Sequence, residues 1–227
     1  MSAQISIIVP TLNAEQYLPR CLGALMEGLS EGLIRELIVT DGGSKDATLA
    51  IADEAGAVVV TGPASRGGQL RRGCAVAQGK WLLVLHADTV LESGWAQNVA
   101  AHISTPQAGS AHFRLAFDVS GLRPQWVAGW ANLRAGLFGL PYGDQGLLLR
   151  QGDYTRAGGY PDQPLMEDVA LIRALQGRLT ALPVCARTSA DKYARAGWMR
   201  RGTRNLWTLA RYFAGTDPEL LAASYRR

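Results

Sequence analysis

The sequence predicts an α/β domain built on a mostly parallel sheet, and two observations support this fold class. Short apolar strands alternate with helical segments through the first half of the chain, and polar residues follow several of the strands. Such alternation is typical of βαβ units, whose right-handed crossovers bring the carboxyl ends of the strands to one edge. We therefore expect one Rossmann-like sheet flanked by helices, with ligands bound at that edge.

The first half contains four predicted strands and three predicted helices. The strands are expected at residues 5–9, 36–40, 57–61 and 81–86, and the helices at 14–26, 44–54 and 67–77. Apolar residues recur at helical spacing in the first of these helices, and Ser44 is the expected N-cap of the second. The strands read as continuous apolar runs, which is typical of a sheet buried on both faces.

The second half is less regular. Strands are expected at 111–118 and 145–150, helices at 121–140 and 166–175, and a basic amphipathic helix at 198–213. No internal repeat or linker interrupts the sequence, and 227 residues suit one domain with a sizeable core. We therefore expect a single domain, 1–227, with a catalytic second half and a helical tail.

Composition excludes several classes of protein. The formal charge of +4 is mild and gives no reason to expect a nucleic-acid partner, and the three cysteines form neither a CxxC pair nor a Cys/His cluster. Free thiols fit a reducing cytosol. The start of the chain resembles no signal peptide, and no apolar run is long enough to span a membrane. We expect a cytoplasmic protein.

Polar side chains follow three neighbouring strands of the predicted sheet. Asn13, Asp41 and Asp88 come directly after the first, second and fourth strands. Each one taken singly is explained by a turn or a helix cap, but together they favour a binding site. One carboxylate is suited to accept hydrogen bonds from a base or ribose, and another to hold Mg²⁺ or Mn²⁺ against a diphosphate.

Basic and glycine-rich segments refine this hypothesis. Arg66 is a candidate to bind phosphate oxygens, whereas Arg71 and Arg72 fit a solvated helix face equally well. The segment 42–45 (GGSK) follows a strand but matches neither the dinucleotide-binding nor the P-loop pattern. A Rossmann dehydrogenase or a P-loop enzyme is therefore disfavoured.

Two further polar pairs lie in the second half. Glu167 and Asp168 stand where a helix begins, so they either favour the helix dipole or line a cleft. Asp144 and Gln145 precede a strand and are ambiguous in the same way. Both pairs are candidates for the side of the cleft opposite the nucleotide.

Taken in order, these segments resemble the family 2 glycosyltransferases, which are inverting enzymes with the GT-A fold. The resemblance covers nearly the whole chain, and two local motifs also resemble a small bacterial branch associated with radical-SAM/selenodomain or arsenosugar genes. The four family segments are 5–13 (ISIIVPTLN), 39–46 (VTDGGSKD), 85–88 (LHAD) and 166–169 (MEDV), and the branch motifs are 143–146 (GDQG) and 164–168 (PLMED).

The resemblance implies transfer of a sugar from a nucleotide diphosphate donor, usually a UDP-sugar, to an acceptor hydroxyl. It divides the chain into a nucleotide-sugar-binding half (1–105), an acceptor and catalytic half (106–197) and the tail (198–227). The implied donor-binding residues are Pro10, Thr11 and Asn13 near the base and ribose, Asp41 at the base, Arg66 near the nucleotide, and Asp88 at the diphosphate.

The resemblance also implies a metal and a catalytic base. Asp88 would hold a divalent cation, Mn²⁺ or Mg²⁺, and Asp168 would take the proton of the acceptor with Glu167 in support. Asp144 and Gln145 would lie on the acceptor side.

Three positions depart from the family pattern. His86 replaces a carboxylate of the DxD motif, Leu12 replaces an aromatic residue that stacks on the base, and Arg71 replaces an Asn. Two alternatives therefore stay open: a nucleotidyltransferase, and a degenerate module that binds a nucleotide sugar without transfer.

The tail has two faces at helical spacing. Met199, Leu206, Ala210 and Phe213 form an apolar stripe with Trp207 beside it, and Arg200, Arg204 and Arg211 form a basic one. This pattern fits a helix on the inner membrane face, an apolar stripe packed on the domain or on a second subunit, or a lid over the acceptor site. The oligomeric state stays open, with a homodimer among the alternatives.

Overall fold

The computed structural model describes residues 3–225, and within that range the chain forms one eight-stranded sheet flanked by helices. The strands are β1 (Ile5–Thr11), β2 (Ile34–Asp41), β3 (Val58–Thr61), β4 (Trp81–Val84), β5 (Thr89–Leu91), β6 (Ala111–Phe117), β7 (Leu147–Arg150) and β8 (Thr180–Thr188). The helices are α1 (Leu18–Ser30), α2 (Thr48–Glu54), α3 (Arg66–Val76), α4 (Trp95–Ser104), α5 (Leu122–Phe138), α6 (Gln151–Arg156), α7 (Glu167–Ala174), α8 (Asp191–Ala196), α9 (Trp198–Phe213) and α10 (Pro218–Tyr225).

The strand order is β3-β2-β1-β4-β7-β6-β8-β5. The first four strands are parallel, β7 pairs antiparallel with β4 and β6, β6 and β8 are parallel, and β5 closes the far edge antiparallel to β8. The predicted fold class, a mostly parallel sheet with a helical tail, is confirmed.

Register brings the polar strand ends to one edge. Thr11 at the end of β1 pairs with Asp41 at the end of β2, and Ile8 pairs with Val84 at the end of β4. Alternate residues of β1 point into cores on opposite faces of the sheet, since Ile7 and Val9 join one apolar cluster and Ile8 joins another. Burial of both faces explains why these strands read as continuous apolar runs.

Several elements differ from the sequence prediction. The sequence pattern does not predict strands β5 and β8 or helices α4, α6 and α8, and α1 begins at Leu18 rather than at residue 14. Helix α2 begins at Thr48 with Ala47 as N-cap, so Ser44 does not cap it. Ser44 instead directs its hydroxyl to the Asp41 carboxylate, which holds it in the loop after β2.

The tail packs on the domain through apolar residues, since Leu209, Leu221 and Ala222 share a buried cluster with Leu165 and Val169, and the basic side of α9 faces α10. The guanidinium of Arg204 lies 4.7 Å from the ring centroid of Tyr225 in α10, and Arg211 donates to Ser224 Oγ at 3.1 Å. Of the predicted basic face, these two side chains therefore contact the protein and Arg200 is exposed.

The apolar stripe of the tail points the other way. Met199, Ala210 and Phe213 are exposed, as is Trp207 beside them, and the buried residues of α9 are Thr208 and Leu209. The alternative in which the whole apolar stripe packs on the domain is thus wrong for the described residues. None of the helices within 3–225 has the length and apolar character needed to span a membrane.

Candidate active site

A pocket of about 130 Å³ opens at the carboxyl edge of the sheet. It brings together five of the residues predicted from the sequence: Arg66, Asp88, Asp144, Glu167 and Asp168. These come from the start of α3, the loop after β4, the turn before β7 and the first turn of α7. Side chains distant in sequence therefore converge on one cavity.

Asp88 is the acidic residue at the end of β4. Its Oδ2 lies 2.7 Å from Lys192 Nζ, and its side chain is 12% exposed against 58% for Lys192. Burial on its own would raise the pKa of Asp88, but Lys192 and His86 outweigh it, so the pKa lies below its usual value. The Asp88 carboxylate is therefore ionised and able to bind a metal ion. It is already paired with the ammonium group of Lys192, an exposed side chain that can move away into solvent.

His86 lies two residues before Asp88. Burial and the neighbouring Arg66 lower the pKa of its imidazole to about 4, so the ring is neutral at pH 7. A Cβ added to Gly143 would lie 2.5 Å from His86 Nε2, so the Gly143 backbone passes directly beside the ring. The substitution of His for a carboxylate at this position therefore removes one negative charge from the pocket.

Glu167 is almost fully buried at the start of α7. Its Oε1 lies 3.2 Å from Arg66 Nε, with the Glu167 side chain 3% exposed and that of Arg66 52% exposed. Burial raises the pKa of Glu167 to about 7; Arg66 opposes this rise and Asp168 adds to it. Met166, just before the helix, has φ 64°, a conformation unfavourable for a side chain of this size. That backbone turn sets Glu167 and Asp168 against the pocket.

Asp168 is less buried, and its carboxylate is held by backbone amides. Gly143 N donates to Oδ2 at 2.8 Å, and Val169 N donates to Oδ1 at 2.8 Å. The first bond ties the start of α7 to the 3₁₀ turn Gly143–Gln145. Two hydrogen bonds fix the plane of this carboxylate at the wall of the pocket while leaving it further acceptor capacity.

The pair Asp144 and Gln145 divides between pocket and core. Burial raises the pKa of Asp144 to about 6, although Arg134 opposes the rise, and its Oδ1 is buried with no hydrogen-bond partner among the described residues. Gln145 is fully buried and donates to Phe113 O at 3.3 Å. Asp144 lines the pocket, whereas Gln145 lies outside its lining and braces the turn that carries Asp144.

The predicted nucleotide residues form a separate network along the same edge. Asp41 is fully buried and accepts from Gly43 N and Ser44 N, both at 2.7 Å, from Ser44 Oγ, and from Thr11 Oγ1 at 3.0 Å. Asn13, with φ 49°, accepts from Lys45 N at 2.9 Å. Together these bonds fix the loop after β1 against the loop after β2. Neither Asp41 nor its partners line the pocket, and Pro10 lies within β1.

Sequence reasoning missed two groups of residues. Gln69 in α3 is buried and donates to Thr11 O at 2.7 Å and to Thr40 O at 2.9 Å, which clamps the ends of β1 and β2. Lys192, and three residues of the tail, line the pocket (Arg201, Asn205 and Tyr225). No local motif marks them, but helix α9, which contains Arg and neither Asp nor Glu, was the signal that could have pointed to Arg201.

A divalent cation is implied by the resemblance, and the donor set was tested for it. Within residues 3–225 no group of three or more His, Cys, Asp or Glu side chains is placed to hold a metal. Asp88 offers one carboxylate, and Mg²⁺ or Mn²⁺ commonly binds through one or two carboxylates plus substrate phosphates and water. The residues fit a cation that is held jointly by the Asp88 carboxylate and the substrate phosphates, provided that the Lys192 ammonium group moves away from Asp88.

Solved structures of other proteins share the fold of this chain. The crystal structure of S. aureus TarS 1–349 has a TM-score of 0.61 and 17% identity, covering 91% of this chain and 64% of that one. Glucosyl-3-phosphoglycerate synthase from Mycobacterium tuberculosis, in complex with Mn²⁺, UDP and phosphoglyceric acid, has a TM-score of 0.52 and 22% identity, covering 82% of this chain and 69% of that one. The fold is therefore that of the GT-A glycosyltransferases.

The family follows from the sequence itself. The model of the family described as glycosyl transferase family 2 matches residues 6–153, more than half of the chain. This protein belongs to that family.

Two curated relatives match shorter segments. A TPR repeat-containing protein of Synechococcus elongatus is 37% identical over 131 residues, 56% of this chain and 29% of that protein. A PGL/p-HBAD biosynthesis glycosyltransferase of Mycobacterium bovis is 37% identical over 106 residues, 43% of this chain and 41% of that protein. The chain thus spans less than half the length of either relative.

Proposed function

We propose that this protein transfers a sugar from a nucleotide diphosphate donor, a UDP-sugar, to an acceptor hydroxyl with inversion at the anomeric carbon. The observation that carries the proposal is the position of Asp168. Its carboxylate is oriented by two backbone amides at the wall of a pocket that also holds Arg66, Asp88 and Lys192. A base and a set of anion-binding side chains therefore face the same small cavity.

The basic side chains of the pocket support a diphosphate donor. Arg66, Lys192 and Arg201 line the cavity, and guanidinium and ammonium groups bind phosphate oxygens well. The TarS and glucosyl-3-phosphoglycerate synthase structures include complexes with UDP, which makes uridine the base to test first. Pro10, Thr11, Asn13 and Asp41 stay the predicted contacts for the base and ribose.

The acidic side chains support proton transfer from an acceptor. In the proposed step Asp168 takes the proton of the acceptor hydroxyl while the oxygen of that hydroxyl attacks the anomeric carbon. The bond from that carbon to the diphosphate oxygen breaks, and Arg66 stabilises the charge that develops on the leaving group. Direct displacement inverts the configuration. Glu167 holds Arg66 in place through its ion pair, and Asp144 is placed to bind a sugar hydroxyl.

Asp88 is the residue that would hold a divalent cation. When bound, the cation would supply charge neutralisation for the departing diphosphate. The Mn²⁺ complex of glucosyl-3-phosphoglycerate synthase supports Mn²⁺ as the first ion to test. The cytoplasmic location and the narrower resemblance to the radical-SAM and arsenosugar-associated branch stay predictions.

The experiment is an assay of UDP-sugars with Mn²⁺ or Mg²⁺ that measures release of nucleoside diphosphate, including slow donor hydrolysis. The wild type should release UDP, and Asp168→Asn should lower transfer by about 10²–10⁴-fold with UDP binding nearly unchanged. Asp53→Asn, which removes an exposed carboxylate from α2, is the matched control.

Three results would redirect the proposal. Release of pyrophosphate instead of nucleoside diphosphate would indicate a nucleotidyltransferase. Donor binding without any turnover would indicate a binding module. Wild-type transfer rates in Asp168→Asn would show that Asp168 serves only the start of α7.

A further inference from the structure

Helices α5 and α9 lie side by side and expose a continuous apolar face. We call it the α5–α9 surface, and define it by its large apolar side chains. It comprises Leu122, Trp126, Trp130, Leu133 and Leu137 of α5, and Met199, Leu206 and Trp207 of α9. Between the two helices runs an open groove of about 600 Å³, lined by these residues except Leu137 and Trp207, and also by Trp198.

The exposure of this surface is unusual for its chemistry. Leu122 is 80% exposed, Trp126 76% and Trp207 66%. In α5 the exposed leucines and Trp126 recur at helical spacing, so they form a stripe rather than scattered single residues. A contiguous apolar patch that includes Trp126, Trp130 and the half-buried Trp198 indicates an interaction site, because soluble proteins rarely leave one in water.

The charge of the surface narrows the choice of partner. Neither α5 nor α9 contains Asp or Glu, and both contain Arg. Arg123 and Arg200 are exposed, and each directly follows a residue of the surface in sequence, Leu122 and Met199. A partner must therefore offer hydrocarbon to the stripe and negative charge to its margin.

We propose that the α5–α9 surface docks on an anionic lipid bilayer. Tryptophan is favoured at the boundary between headgroups and acyl chains, and a helix with an apolar face and flanking Arg lies in the plane of that boundary. A second copy of the chain fits less well. In a two-fold dimer over this surface the arginines of each copy would meet a face without carboxylates.

Docking would also place α9 between the bilayer and the pocket. Helix α9 presents its apolar side to solvent and sends Arg201 and Asn205 into the pocket from its other side. Membrane binding itself does not require that the transferase function be correct.

The test is sedimentation of the whole protein with large unilamellar vesicles of phosphatidylglycerol and phosphatidylcholine, compared with phosphatidylcholine alone. The wild type should pellet with the anionic vesicles at low salt and be released at high salt as surface charges are screened. Tryptophan emission should shift to the blue on binding.

Two variants separate the apolar and the charged contributions. Trp126→Gln with Trp130→Gln should weaken vesicle binding by about tenfold or more, since two aromatic side chains no longer leave water. Arg123→Gln with Arg200→Gln should remove the preference for anionic lipid. The matched control is Met26→Gln with Leu29→Gln, which changes two exposed apolar residues on α1 and should bind as the wild type does.

Two outcomes would overturn the proposal. One is a wild-type protein that stays in the supernatant with anionic vesicles at low salt. The other is a dimer in light scattering that the Trp126 and Trp130 substitutions dissociate, with no lipid binding, which would assign the surface to a second copy. Circular dichroism and melting temperature confirm that each variant is folded before either result is accepted.

Discussion

The burial of the Glu167 carboxyl group makes stability depend on pH in a predictable direction. Burial raises the pKa of Glu167 to about 7 from its ordinary value of 4.5. Between these two values the unfolded chain has released the proton and the folded chain still holds it. The unfolded state then binds fewer protons, so the free energy of unfolding falls as the pH rises through this window.

The size of the effect follows from the same two values. The difference between about 7 and 4.5 corresponds to roughly 3 kcal/mol, and it already includes the attraction of Arg66. Glu167→Gln keeps the shape of the side chain and cannot ionise. Relative to the wild type, the variant should therefore gain roughly 3 kcal/mol of stability between pH 4.5 and pH 8.

Urea denaturation at constant ionic strength, followed from pH 4.5 to pH 8, measures this difference. Glu31→Gln, which removes a negative charge from an exposed position, corrects for the change in net charge. The reasoning is refuted if the stability difference between Glu167→Gln and wild type stays constant over the range. Glu167 would then be as well accommodated when ionised as when neutral.

Three further perturbations test the elements that position the pocket. Gln69→Ala removes the side-chain donor from Thr40 O and from Thr11 O, the second of which keeps its bond from Gly42 N, so urea denaturation should show a loss of about 1–3 kcal/mol. Gly143→Ala places a Cβ against His86, so the turn that carries Asp144 must shift. Kinetic assays should show a clear fall in turnover, while thermal denaturation shows a small change in melting temperature. Lys192→Met removes the ammonium group that pairs with Asp88, so Mn²⁺ should bind more tightly when followed by electron paramagnetic resonance. We expect about fivefold, the size typical of an ion pair in contact with solvent. Unchanged Mn²⁺ affinity would argue against Asp88 as a metal ligand.

The parts of the fold that could be predicted from sequence are those set by local pattern. Strands β1, β2 and β4 are apolar runs closed by polar residues, and parallel pairing brings such ends together. The short β5 has three residues and too little pattern to be read, and β8 contains Pro183, which argues against a strand. Their pairing is decided by partners far away in sequence.

The candidate site divides in the same way. The motifs place Asp88, Glu167 and Asp168 in one pocket, because each stands at the end or start of a regular element. Lys192 and Arg201 could not be assigned, since they lie in α8 and α9 and reach the pocket only through the tertiary fold. For Gln145, the adjacent Asp144 gave no indication that the Gln side chain turns into the core, because a 3₁₀ turn sends neighbouring side chains in different directions.

The pocket has an uneven distribution of charge that suits a reaction between two unlike substrates. Asp144, Glu167 and Asp168 come from the turn before β7 and the start of α7, while Lys192 and Arg201 come from α8 and α9. Two ion pairs, Arg66 with Glu167 and Lys192 with Asp88, join groups of opposite sign across the cavity. Carboxylates repel a diphosphate and accept hydrogen bonds from hydroxyl groups, and ammonium and guanidinium groups have the opposite preference. Because Arg201 belongs to α9, a change in the position of that helix would alter the charge of the pocket. The same helix carries the exposed Met199 and Trp207, so contact with a lipid surface and the charge around the donor would be coupled through one rigid element.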